Sequence, residues 1–152
     1  IPYAVQLLGR ASLSRWLLIL LVSGVASRNP IAQEAVKHAL VRARFCELVT
    51  EARRSGDPSA RFLVGLLSRF DVLLGLPMTE VLDRLPVSAD VRDALLHGVG
   101  PHSGVLSLVE AYEHAAWDTV SELEDGTLTP FGEVYAQAVT WAESRLSLGP
   151  TP

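Results

Sequence analysis

The chain has 152 residues, 49% of them hydrophobic and 20% charged, with a formal net charge of −4. That is ample apolar material for one core without disulfide staples, and too acidic a balance for the overall basic footprint of a nucleic-acid module. A single cysteine, Cys46, excludes an internal disulfide framework and favours a reducing cytoplasm.

In chain order the sequence predicts helix after helix, with caps and breakers between them and no sustained alternation of period two, so the fold class is all-α. The early apolar run Trp16 to Val22 is bounded by Arg15, Ser23 and Arg28. It falls far short of the roughly 20 apolar residues of a bilayer span and reads as a buried helix. A secretory signal is not expected, because no charged start precedes a separate apolar core and cleavage site.

From Gln33 to Arg54, Val36, Leu40, Ala43, Cys46 and Val49 fall along one helical face, and Lys37, Arg44, Glu47, Glu51 and Arg54 supply a wetter one. Asp57-Pro58 is a start signal: the carboxylate accepts from unpaired amides, and proline suits the first helical position. The helix it opens carries an apolar stripe of Leu63, Leu66, Leu67, Phe70 and Leu74 before Gly75 and Pro77 end it, and Gly65 within it predicts close approach of another helix.

A short helix follows through Leu82, Pro86 breaks it, and Ser88 caps the next through Leu96. Ser103 to Ala115 is apolar nearly all round and is expected to be central. Trp117 to Glu124 forms another helix, ended by Gly126. Thr129-Pro130 opens the last, with Phe131, Val134, Tyr135, Ala138, Trp141, Ala142 and Leu146 on its buried face. Leu148 to Pro152 is a disordered tail. The expected core includes Leu40, Phe45, Leu63, Leu66, Leu67, Val109, Tyr112 and Trp141.

The stretch Phe62 to Asp71 resembles the segment that, in HD-superfamily domains, runs into an adjacent His-Asp pair binding divalent metal; Ser68 and Arg69 stand in those two places. The order of Ala4–Arg10, Leu13–Leu18, Ala39–Cys46 and Phe62–Asp71 resembles HDOD domains, the HD-related output domains of bacterial signalling proteins. Gly75-Leu76-Pro77, Leu85-Pro86-Val87-Ser88, Val91 to Leu96 and Glu110-Ala111-Tyr112-Glu113 are similar to the degenerate branch found C-terminal to EAL phosphodiesterase domains in cyclic di-GMP signalling proteins. The resemblance implies one HD/HDOD-type helical bundle over residues 1–147, truncated at its N-terminus because the helices that open a complete HDOD domain are missing. It also implies an upstream EAL domain as partner.

Hydroxyl and guanidinium cannot replace imidazole and carboxylate as metal ligands. Arg42 aligns with an upstream metal-binding His of the HD fold and is no ligand either. The expectation is therefore a noncatalytic output module with no catalytic residue, metal or cofactor, its degenerate pocket lined by Arg42, Ser68, Arg69 and Asp71. Ser68 is expected to bond a backbone carbonyl, and Asp71 to pair with Arg69, Arg42 or a helix amide.

The bland readings dominate elsewhere. His38, His97, His102 and His114 fall in no familiar ligand pattern, although Glu110 lies one turn before His114. Trp16, Trp117, Tyr112, Tyr135 and Trp141 read as core rather than as a nucleotide-stacking surface. The Arg10/Arg15, Arg42/Arg44 and Arg53/Arg54 pairs each lie near acidic residues or on a solvated helix face and are not expected to be phosphate contacts. Neither nucleic acid nor membrane is an expected partner. Two further readings stay open: a nucleotide sensor using the vacated pocket, and a divergent metal-dependent phosphohydrolase. Self-association through an apolar surface around Ile1 to Trp16 is also expected.

Overall fold

The computed structural model describes residues 30–124 and 131–147, which form an all-α bundle. The expectations placed on Ile1 to Trp16, the run Trp16 to Val22, Gly126, Thr129-Pro130 and the tail lie outside the described residues. Among those described, no helix is long and apolar enough to cross a membrane.

Helix α1 (Pro30–Arg53) is the axis of the bundle. Helix α2 (Pro58–Leu67), helix α6 (Ser103–Glu113) and helix α8 (Phe131–Ser147) all pack against it. With neighbours on several sides α1 buries far more than one stripe: Ala35, Val36, Ala39, Leu40, Val41, Ala43, Phe45, Cys46 and Val49 are all enclosed. The centre of the fold is therefore α1, and the segment 103–115, expected to be central, buries Val105, Leu106, Leu108, Val109 and Ala111. The latter is apolar in composition, but Gly104 and Ser107 face solvent and its helix ends at Glu113.

Helix α2 starts as its sequence dictates, with the Asp57 side chain accepting from the Ser59 amide at 2.9 Å and Pro58 in the first turn. Its seam with α1 is set by Gly65. A Cβ there would stand 2.5 Å from the Arg42 carbonyl oxygen and 2.8 Å from Ala43 Cα, so two backbones touch where only hydrogen fits.

The expected single helix from Asp57 to Gly75 is broken. It stops at Leu67, and helix α3 (Phe70–Leu74) begins after a turn at Ser68 and Arg69. At the break Ser68 Oγ donates to the Gly65 carbonyl at 2.7 Å. The change of direction takes Leu74 off the buried stripe and leaves it 52% exposed. Gly75, at φ 64°, caps α3 in the left-handed conformation.

Helix α4 (Met78–Asp83) and helix α5 (Ala89–His97) follow, the latter capped by Ser88 Oγ accepting from the Val91 amide at 3.4 Å. Helix α7 (Trp117–Leu123) packs against α6. Of the expected core, Leu40, Phe45, Leu66, Leu67 and Val109 are fully buried, whereas Leu63, Tyr112 and Trp141 are partly so and line its edge. The aromatics are mostly structural: Tyr112 and Tyr135 stack with centroids 5.5 Å apart, and Phe62 meets Trp141 edge-on at 6.2 Å. Trp117 departs from the core reading, because it sits 60% exposed, its ring edge-on to Tyr112.

Candidate functional site

Arg42 lies on the apolar side of α1, between Ala39 and Cys46, and is 4% exposed. A guanidinium in that position must be met by fixed charge, since burying it unpaired is prohibitive. The partners come from α6. Arg42 Nε donates to Glu113 Oε1 at 2.9 Å and Nη2 to Glu113 Oε2 at 2.6 Å, a two-pronged pairing of planar groups. Nη1 donates to Glu110 Oε1 at 3.2 Å and to Ser68 Oγ at 3.1 Å. One side chain thus joins the axis helix, the α2–α3 break and the C-terminal turn of α6.

The two carboxylates are placed differently. Glu113 keeps 10% of its side chain in contact with solvent, while Glu110 keeps 46%. His38, one turn before Arg42, brings Nδ1 to 3.8 Å from Glu113 Oε1 and Nε2 to 3.5 Å from Glu34 Oε1. Burial opposes the charge on Arg42, but hydrogen bonding and attraction from Glu113, with further attraction from Glu110, outweigh it and raise the guanidinium above its ordinary value.

The four expected pocket residues separate into two pairs. Arg42 and Ser68 are in direct contact. Arg69 and Asp71 sit on either side of the start of α3, and neither side chain hydrogen-bonds to Arg42 or Ser68. Arg69 Nε and Asp71 Oδ1 are buried without a hydrogen-bond partner among the described residues. Asp71 is therefore not the counterion of Arg42; the fork of that guanidinium is already filled by Glu113.

Glu113 is the residue that sequence reasoning missed. The signal was there: an arginine within an apolar helical stripe demands a buried acid, and Glu110 and Glu113 are spaced to share one side of an otherwise apolar helix. Glu110 also turns away from the metal role considered for it with His114. Its carboxylate serves Arg42, and the His114 ring faces the Glu110 carbonyl at 2.7 Å. Among the described residues no group of three or more His, Cys, Asp or Glu side chains converges as metal ligands would.

Chemically the assembly is saturated. Ser68 Oγ gives its proton to a backbone carbonyl and its lone pair to Arg42, and among the described residues no base is placed to activate it. Burial pushes the Cys46 thiol up to about 12 against the opposing charges of Arg42 and Arg61, and Sγ donates to the Val105 carbonyl at 3.9 Å. A thiol held neutral in this way is not a nucleophile. Burial, with donation to Glu124 at 2.5 Å, likewise raises the Tyr112 phenol and keeps it protonated.

Over 146 residues the chain is 31% identical to the uncharacterized protein YuxH of Bacillus subtilis, a match covering 95% of this chain and 36% of that protein. It is also 31% identical over 120 residues to the cyclic di-GMP phosphodiesterase CdgJ of Vibrio cholerae, covering 78% of this chain and 27% of that protein. The chain therefore spans about a third of the length of the curated relatives it matches. No family model matches it, and no solved structure matches it significantly.

Proposed function

We propose that this chain is a noncatalytic regulatory module of the HDOD type, making protein contacts within a cytoplasmic cyclic di-GMP signalling protein whose chemistry is carried by an upstream EAL-type phosphodiesterase domain. The observation that supports it most is Arg42. A permanently charged guanidinium, which cannot be a metal ligand, is buried beside Ser68 and engages the enclosed carboxylate of Glu113 that could otherwise serve as ligand or base. Similarity to a cyclic di-GMP phosphodiesterase supports the signalling context. The acidic balance favours a protein over a nucleic-acid partner. A nucleotide sensor built on the same pocket would first have to displace Arg42 from Glu113.

Hydrolysis of cyclic di-GMP and metal content, measured for the purified chain and for the longer polypeptide proposed here, test the reading. The chain alone should neither turn over cyclic di-GMP nor retain a stoichiometric transition metal. In the longer protein Glu113→Gln should alter regulation and leave maximal turnover intact. Turnover by the chain alone that Glu113→Gln abolishes would show the pocket to be an active site.

A further inference from the structure

The carboxylates of Glu110 and Glu113 and the hydroxyl of Ser68 converge on one planar cation with complementary geometry. Glu113 offers both oxygens to one edge of the guanidinium, and Glu110 and Ser68 take the remaining Nη1. Ser68 is itself held by its bond to Gly65, so its lone pair is aimed before the cation arrives. Glu113 cannot be so enclosed without a cation beside it, because an unpaired carboxylate at that depth costs several kcal/mol.

We propose that Glu113, Glu110 and Ser68 form a receptor for a guanidinium ion, filled in this protein from inside by Arg42, and that the cradle emptied of Arg42 binds a free alkylguanidinium. Selectivity comes from the edge-on fit to Glu113, which an ammonium cannot reproduce. The filled receptor docks α6 on the α1–α2 pair without any ion from solution. This concerns the cradle itself and does not depend on the signalling role proposed above.

Arg42→Ala removes the equivalent of ethylguanidinium, and that ion is the probe. The melting temperature of Arg42→Ala should rise saturably with ethylguanidinium at concentrations well below denaturing ones, while ethylammonium, Mg²⁺ and Mn²⁺ should give a smaller rise or none. Neither the unmutated chain nor Arg42→Ala/Glu113→Gln should respond. Absence of a saturable rise, an equal rise with ethylammonium, or persistence of the rise in the double variant would overturn the proposal. Should Arg42→Ala not fold, Arg42→Lys decides. It keeps the charge and loses the planar fork, so its melting temperature should fall well below that of the unmutated chain; an unchanged value would mean that the cradle selects charge alone.

Discussion

Helix α1 is held on two sides by opposite physics. Towards α2 the contact is backbone on backbone at Gly65, with no room for one more carbon. Towards α6 it is a charge pair at Arg42 and Glu113, with no polar atom to spare. The first seam is sensitive to an added atom and the second to a lost one, and both meet at residue 42, whose carbonyl faces Gly65 while its side chain faces Glu113. One residue therefore registers α1 against both neighbours.

The charged seam should show the larger effect. Glu113→Ala strands the Arg42 guanidinium and should cost about 3–5 kcal/mol, whereas Arg42→Met/Glu113→Leu, which removes both charges together and fills the space, should recover most of that loss. Urea denaturation of the single and double variants measures it. A single-variant cost below about 1 kcal/mol would mean that water already solvates the pair, as at exposed ion pairs.

At the steric seam, Gly65→Ala should cost about 1–3 kcal/mol, because the atoms in the way are backbone of a helix enclosed by its neighbours and cannot rotate aside. Denaturation with an unchanged m-value would attribute the loss to the native state. No measurable change would mean that α1 and α2 can slide apart, and the distinction between the two seams would fail.

The steric seam was legible in the sequence, and the charged one only in half. A glycine inside an apolar stripe announces a close helix, and the Asp57-Pro58 start and Ser88 cap are local devices that depend on a few neighbouring atoms. The partner of Arg42 lies 71 residues away, and no local pattern links an arginine to one glutamate rather than another. Asp71 was the nearer acid along the chain, but the break at Ser68 and Arg69 redirects α3 and leaves it outside Arg42's fork. That break was illegible for a related reason: Phe62 to Leu74 has continuous helical periodicity, and nothing local in it marks the turn at Ser68 and Arg69.

Ser68 links the two seams, accepting from Arg42 and donating to Gly65. Ser68→Ala removes one net hydrogen bond from each side of the hydroxyl. Because Arg42 Nη1 keeps Glu110, the cost should be about 1 kcal/mol. A loss comparable to that of Glu113→Ala would make the serine, rather than the carboxylate, the principal anchor of the guanidinium.

The smallest effect expected has the opposite sign and lies just beyond the charged seam. After Glu113 the chain turns through Ala115, whose φ of 52° places a residue with a Cβ in the left-handed region. The turn itself is well bonded, with the Ala116 amide donating to the Ala111 carbonyl at 2.9 Å and the Ala115 amide to that of Tyr112 at 3.2 Å, the pattern that favours glycine at this position. Relief of the Cβ strain is worth about 1–2 kcal/mol, and the greater freedom of glycine in the unfolded chain takes back about 0.4–1 kcal/mol. Ala115→Gly should therefore stabilise the fold by about 0.5–1 kcal/mol, visible as a modest rise in urea midpoint. Its side chain is exposed, so little packing is given up. If the carboxylate pair fixes the end of α6, the gain should be the same in the Arg42→Met/Glu113→Leu background, since the turn and the pair then act independently. A gain that disappears there would show that the strained turn is what presents Glu113 to Arg42.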